Sequence, residues 1–558
     1  MKYNILIGGA AGQGMDTLSV LIEKILKRKG YFIHSSKDYM SRIRGGHNFI
    51  QIRFGVEPIY SHCPDVDVII ALDNNTVETH IERLASEGVI LCDESVKVQD
   101  KRAIKIPMAK FAKEVNNLKA VGSVAVGSLL KLFGESLDIV EEVFSNKFKK
   151  AIAQSNFEAL KKGYGFVEKK FQLYKPGKDN NLLLNCNDAI ALGALAGGVG
   201  FYAGYPMTPA TSIMTQLSMR QEDAKIIVEQ VEDEISAINM VLGASYAGVR
   251  AMTGTSGGGY ALMVEAMSLQ GITEIPIVVV DSQRPGPATG LPTRTEQGDL
   301  DFVLFSGHGE YPKMVIAVRN PEDAFYQTAR ALNIADKYQT QVIILTDEYL
   351  ADATQTVPIV DFSKVTIERY IASKDDLANE KYKRYKTTQD GVSPRIIPGK
   401  IEDEIVLIDS DEHNEYGHIT ESADVREVMM DKRMKKLNGI ASEIQEPEYF
   451  GVDVPEILLI GWGSMYGPIR EAIDLLQKDS VSIGALVFGD IYPLPTKLLK
   501  KYASIAEKLV NVEMNYNGQL ARLITQETGI FMNQSILNYN GRQMCAHTVY
   551  TRVKKELM

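Results

Sequence analysis

The chain has 558 residues and a mass of 61.8 kDa, which at about 100–200 residues per domain gives about three to five domains and excludes one small folding unit. Apolar residues make up 45% and charged residues 24%, a balance that excludes a mainly disordered or collagen-like chain. Lys plus Arg is 61 and Asp plus Glu is 71, a net charge of −10, so neither a general nucleic-acid binder nor a binder of anionic membranes is expected, since both need basic surface.

In chain order, YNILIGG, an amphipathic run over Met15–Arg28, then YFIHSS, FIQIRFG, VDVIIAL and GVILCD predict a first domain over 1–175 in which strands alternate with helices. The opening apolar run Ile5-Leu6-Ile7 is too short for a signal peptide. After a polar segment, IIVEQ, RAMTGTS, IPIVVVD and TQVIILTD predict a second α/β domain over 182–360. Residues 189–219 carry no charge and are long enough to mimic a membrane span, but five glycines with Pro206 and Pro209 break them into a helix, a short strand and a turn. Residues 361–448 are charged and poorly periodic, and are expected to form a linker or excursion with few core residues. EILLIGWG, SIGALVFGD and KLVNVEMN predict a third α/β domain over 451–558. The four cysteines, Cys63, Cys92, Cys186 and Cys545, are scattered and form no C-x-x-C pair. Neither a disulfide framework nor a self-contained iron–sulfur site is expected, and the compartment expected is a reducing cytoplasm.

Several turns at strand ends carry candidate chemistry. The glycines of GGAAGQG, among them Gly12 and Gly14, open a helix and can receive a phosphate on bare N–H groups, or simply make a strand-to-helix turn. The stretch fails both G-x-G-x-x-G and the P-loop pattern. Arg42-Ile43-Arg44-Gly45-Gly46-His47-Asn48 puts cations and polar groups in one turn before the strand FIQIRFG, as an anion site or a solvated hairpin. Tyr205-Pro206-Met207-Thr208-Pro209 is a stiff turn after FYAG, which on pattern alone is structural first and a place that offers the Thr208 hydroxyl to a ligand second. Glu232, Asp233 and Glu234 precede a helix over 236–247, where acids serve the dipole unless one turns inward for proton transfer. Gly257 and Gly258 let something flat approach the backbone, or simply make a sharp strand-to-helix turn. Arg284 and Arg294 sit in a long Pro-rich loop suited to a carboxylate clamp or to a solvated connection.

YPMTP, EQVEDEISAINMVLGASYAG, TGTSGGGYALMVEA and QRPGPATGLPTRTEQGDL, in that order, resemble the α subunit of 2-oxoacid:ferredoxin oxidoreductases. GGAAGQG and SRIRGGHN resemble the γ domain of that family, here fused ahead of α. DEHNEYGHITE, GDIYPLP and VEMNYNGQL are similar to its transketolase C-terminal-like domain and the segment before it. The fold class implied is α/β with three α/β domains: a γ-type domain, a thiamine-diphosphate pyrimidine-binding domain and a transketolase C-terminal-like domain.

The resemblance implies oxidative decarboxylation of a 2-oxoacid, with electrons leaving through a [4Fe-4S] cluster to ferredoxin and coenzyme A taking the acyl group. Glu234 is then the acid that hydrogen-bonds N1′ of the cofactor's aminopyrimidine, with Glu232 as fallback. Thr208 is the substrate-contacting threonine, and Arg294 binds the substrate carboxylate, with Arg284 as competitor. Tyr205, Pro206, Gly257 and Gly258 become cofactor contacts, and Gly12, Gly14, Arg44 and Asn48 contacts for coenzyme A or the cleft. The nearest approach to a Gly-Asp-Gly…Asn diphosphate–magnesium motif, Gly489-Asp490-Ile491 with Asn515 or Asn517, has Ile for the second Gly and is read as coincidence. Cluster, magnesium and diphosphate site are therefore assigned to a β subunit, in an expected dimer of heterodimers without nucleic-acid or membrane partners. The alternatives are a self-contained thiamine-diphosphate decarboxylase or transketolase, and a non-catalytic nucleotide- or coenzyme A-binding regulatory protein.

Overall fold

The computed structural model of the chain describes residues 2–40, 45–377 and 380–558, and these fall into two compact units. The first takes the residues up to Leu184 together with Asp352–Ile359 and Cys545–Thr548. Its eight-stranded sheet runs in the order Ala103–Ile106, Leu84–Asp93, Val66–Ala71, Lys2–Ala11, Gly45–Gly55, Phe32–Asp38, Thr354–Pro358, Asn181–Leu184. The first four strands pair in parallel and the rest are antiparallel. Successive side chains of a strand face opposite ways. Ile5, Ile7, Val68 and Ile70 accordingly enter one core with the helices Met15–Arg28 and Val121–Phe133, while Leu6, Ile69 and Ile90 enter another on the opposite face. The strand expected from Phe49 starts at Gly45, because Gly9 pairs with Asn48 and Ala11 with Gly45. His47 and Asn48 thus belong to the strand and not to the turn before it.

The second unit holds two sheets. Seven strands run in the order Asp490–Tyr492, Lys313–Ala317, Gln341–Asp347, Ile277–Gln283, Ala251–Thr255, Phe201–Gly204, Ile227–Gln230. All pair in parallel except the edge strand Asp490–Tyr492. Val278–Val280 and their neighbours Ile343 and Ile344 are fully buried, as expected of a parallel sheet covered on both faces. The chain enters at Phe201–Gly204, steps outward to Ile227–Gln230, then returns to the other side at Ala251–Thr255. The crevice between the first and third of these is the switch point, where such sheets receive ligands at the carboxyl ends of their strands. The second sheet runs Glu448–Gly451, Ile483–Phe488, Ile457–Trp462, Lys508–Glu513, Gln534–Leu537, with only the first strand antiparallel.

Residues 189–219 form the end of the helix Cys186–Ala196, the strand Phe201–Gly204 and the helix Thr211–Ser218. Among the described residues no helix is long and apolar enough to cross a membrane. Residues 361–448, expected to hold few core side chains, carry the helix Ala423–Ser442, whose buried face is Met429, Lys432, Arg433, Lys436 and Ile440. Lys432 Nζ binds both oxygens of Glu274 (2.8 and 2.9 Å), Lys436 pairs with the same carboxylate, and Arg433 pairs with Glu412 at 2.7 Å. A helix can be buried on cations when each finds its acid.

Candidate active site

Glu234 is the first residue of the helix Glu234–Tyr246, which begins two residues before the predicted start. Asp233 caps the helix, its Oδ1 accepting from Ser236 N at 2.8 Å, so the capping role is filled one residue earlier. Glu234 is only 2% exposed, and its Oε1 has no hydrogen-bond partner among the described residues. Glu232, the fallback acid, is exposed.

The Glu234 carboxyl rests on Gly259, where an added Cβ would collide with Glu234 Oε1 and Thr255 Oγ1. Glycine is required there by close approach. Gly259 lies in the first turn of the helix Gly257–Thr273, which leaves the strand Ala251–Thr255 through Ser256, whose hydroxyl is also buried and unpartnered among the described residues. Gly258 is exposed with open space where a Cβ would point. The switch point therefore presents a buried, unengaged carboxyl beside a bare stretch of backbone. A buried acceptor left open loses free energy, on the order of 1–3 kcal/mol, unless a ligand or water fills it.

The turn 205–209 follows the strand Phe201–Gly204, with Tyr205 and Thr208 exposed and Pro206 half-buried. Asn187 Nδ2 holds it from below, donating to Pro209 O (2.9 Å) and Ser212 Oγ (2.7 Å). Arg284 holds it from the side, with Nη1 donating to Thr208 O (2.9 Å) and Nη2 to Met207 Sδ (3.4 Å). The structure thus brings Arg284 to Thr208. Arg294 is half-buried further along the same loop, where its Nη1 donates to Thr293 O (3.0 Å) and its stem packs beside Gly541. That loop is fastened by Gln297, whose Nε2 donates to Trp462 O (2.8 Å) while its Oε1 accepts from Met514 N (3.0 Å).

Three acids absent from the sequence reading line the same region. Asp281 is fully buried in the strand Ile277–Gln283, and burial and then the Asp299 charge push its carboxyl well above the carboxylate range. Burial pushes Asp299 up to about 6, with Arg284 pulling the other way, and pushes Glu296 up to about 7, with Asp299 adding to the rise. A lone Asp closing an otherwise apolar strand, VVVDSQ, was the available signal.

In the first unit, Gly12 and Gly14 are exposed with φ of 93° and 84°, and Gly14 caps the helix Met15–Arg28. Asn48 is buried and its Oδ1 accepts from Met40 N at 2.9 Å. Arg44 lies outside the described residues. Asp490 is engaged by Arg330 at 2.7 Å through both oxygens and by Gln445 N. Asn515 is bonded to Gln297, Glu513 and Gly518. Both therefore serve the protein's own packing.

Three family descriptions match in order: pyruvate ferredoxin/flavodoxin oxidoreductase over residues 4–166, the thiamine-diphosphate-binding region of pyruvate flavodoxin/ferredoxin oxidoreductase over 192–432, and pyruvate:ferredoxin oxidoreductase core domain II over 455–549. The chain is 32% identical to the α subunit of a 2-oxoacid:ferredoxin oxidoreductase from a Sulfolobus species, covering 97% of this chain and 95% of that one. It is also 32% identical to the 2-oxoglutarate synthase subunit KorA of Archaeoglobus fulgidus, over 60% of this chain and 88% of that one. The solved 2-oxoglutarate:ferredoxin oxidoreductase from Magnetococcus marinus, with 2-oxoglutarate, coenzyme A and succinyl-CoA bound, superposes with a TM-score of 0.93 at 31% identity, covering both chains fully. The α/β architecture with its three domain types follows, and the chain belongs to the 2-oxoacid:ferredoxin oxidoreductase family as an α subunit with a γ-type domain fused ahead of it.

Proposed function

We propose that the chain, assembled with a β subunit, oxidatively decarboxylates a 2-oxoacid to acyl-CoA and CO2 and passes the electrons to ferredoxin. The observation that carries this reading is the unengaged Glu234 carboxyl, buried against Gly259 beside the open backbone of Gly258. That arrangement fits the aminopyrimidine end of thiamine diphosphate, a flat ring with a nitrogen that needs an acidic partner. When bound, the cofactor supplies the nucleophilic carbon and the electron sink that decarboxylation requires. Glu234 Oε1 is the atom that holds or releases the proton at the ring nitrogen, and its burial keeps water from competing for that proton. Tyr205, Pro206, Gly257 and Gly258 border the ring. Thr208 meets the substrate, and its carboxylate is received by Arg284, seated on the Thr208 turn, or by Arg294 further along the loop.

The described residues do not fit an iron–sulfur cluster: no three His, Cys, Asp or Glu among them are grouped to hold a metal, and the four cysteines are all free. Cluster, magnesium and diphosphate anchor are assigned to the β subunit. Support for such a partner comes from the two helices beside the cleft. Glu234–Tyr246 has no charge after Glu234, yet Ile235, Met240 and, from Gly257–Thr273, Leu262 are exposed. Exposed apolar side chains gathered on an uncharged helix surface beside a cleft are the kind of patch a partner covers. The exposed glycine turn at Gly12 and Gly14 is assigned to coenzyme A phosphate, on the N–H groups of a 14-residue helix.

The test is co-purification with the product of the adjacent reading frame, followed by assay of coenzyme A-dependent viologen reduction with pyruvate and 2-oxoglutarate. Reduction that needs both chains is expected. No reduction with any common 2-oxoacid would overturn the proposal.

A further inference from the structure

Asp281 and Asp299, which cluster with Arg284, are acids that the reading above leaves unused. Asp281 stands in register with Thr255 of the neighbouring strand, fully buried, with neither carboxyl oxygen partnered among the described residues. Asp299 is tied by its backbone, donating N–H to Gln283 Oε1 at 3.0 Å. Its Oδ2, buried and likewise unpartnered, rests on Gly257, where an added Cβ would lie 2.5 Å away. Arg284 follows Gln283 and donates to the Thr208 carbonyl. The other ionisable groups facing the pair are Glu296 from the loop and the Tyr260 phenol from the helix Gly257–Thr273. Arg284 is thus the cation of the set.

A carboxyl removed from water without hydrogen bonds favours its neutral form, and two such groups within reach of each other hold at least one proton between them. Asp281 has no cation to oppose burial, so it keeps the proton. Asp299 stays ionised near neutrality because Arg284 partly offsets its burial. A second anion at Arg284 would remove that offset.

We propose that Asp299 is a positioning residue that exchanges charge with the substrate: in the empty cleft its carboxylate balances Arg284, and when a 2-oxoacid carboxylate reaches Arg284, Asp299 takes up one proton from solvent. This rests on the reading that the substrate carboxylate is received beside Thr208. The sign follows from linkage. Binding that takes up a proton weakens as pH rises, by up to about tenfold per unit above about pH 6, and is flat below it.

The experiment is titration calorimetry of the thiamine-diphosphate-loaded complex with N-oxalylglycine and with oxamate, unreactive mimics of 2-oxoglutarate and pyruvate, from pH 5 to 8, at each pH in two buffers that both hold that pH and differ in heat of ionisation. The buffer dependence of the heat counts protons. The wild-type complex is expected to take up most of one proton at pH 7 and almost none at pH 5. Asp299→Asn is expected to take up about one proton fewer than wild type at pH 7, leaving only what Glu296 contributes, to depend less steeply on pH, and to bind tighter than wild type at pH 8, a gain that loss of a purely structural residue would not give. Should the variant fail to fold, the wild-type pH series decides. Binding without proton uptake at pH 7 overturns the inference and leaves the proposed function standing. Failure of both mimics to bind at any pH overturns the carboxylate reading and the inference with it.

Discussion

Glu234 and Glu513 both stand in the second unit where a parallel strand gives way to a helix beside its sheet's switch point, and both are shielded from water. Glu513 accepts from Trp462 Nε1 (3.1 Å), Asn511 Nδ2 (3.1 Å), Asn515 Nδ2 (2.9 Å) and the backbone N–H groups of Leu520 (3.0 Å) and Ala521 (3.1 Å). Glu234 leaves Oε1 unengaged, and Thr255, Gly259 and Ser256 around it add no donor to that oxygen among the described residues. One carboxylate closes its sheet end. The other holds its sheet end open at a cost in stability, which a chain retains where a ligand completes the set. On the proposed reading, a buried glutamate at a strand-to-helix crossing is structural in one sheet and chemical in the other.

The contrast is tested hardest by exchanging each acid for its amide. Glu234→Gln should lower 2-oxoacid-dependent viologen reduction by about 10²–10⁴-fold, since the amide cannot hold the proton, while the melting temperature of the chain stays equal or rises. Near-normal turnover would move the acid's role elsewhere. Next in size, Glu274→Ala should cost about 3–5 kcal/mol in denaturant unfolding, because Lys432 and Lys436 lose the acid that both engage. Activity per folded molecule should hold, since Glu274 lies away from the cleft at the end of the helix Gly257–Thr273. Glu513→Gln should cost about 2–4 kcal/mol, as an NH2 group now faces donors that need an acceptor. A stable Glu513→Gln chain would show that its hydrogen bonds are replaceable and would weaken the contrast.

Much of the frame was legible in residue order. The unbroken apolar runs Ile5-Leu6-Ile7 and Val278–Val280 marked strands because a sheet covered on both faces leaves no polar break. The helix Ala423–Ser442 was hidden. Its buried positions 429, 432, 433, 436 and 440 keep helical spacing, but three of them are Lys or Arg, and hydrophobic periodicity is blind to a face written in cations. The acid at 234 could be named from its motif, yet the reason it differs from Glu232, one buried and one exposed, is a matter of where the helix begins. The seat of Arg284 on the Thr208 turn depends on a hydrogen bond to a carbonyl 76 residues away in sequence, which no local pattern encodes. Asp281 and Asp299 were invisible as a pair because their coupling arises only when a strand end and a later loop fold together.

The smallest expected effect separates stability from ligand binding at the open end of the comparison. Gly258 occupies the first turn of the helix Gly257–Thr273, with nothing within 4 Å of an added Cβ. Alanine fits that helical backbone and restricts the unfolded chain more than glycine does, so Gly258→Ala should stabilise the chain by about 0.5–1 kcal/mol, read as a higher urea midpoint. The methyl would nevertheless stand where the cofactor's ring is assigned to approach, and calorimetry on the assembled complex should show weaker thiamine diphosphate binding that excess cofactor restores. A gain in stability without that weakening would mean the bare backbone is not the ring's path. The unengaged oxygen of Glu234 would then need another occupant, such as a bound water, and its difference from Glu513 would be one of hydration and not of function.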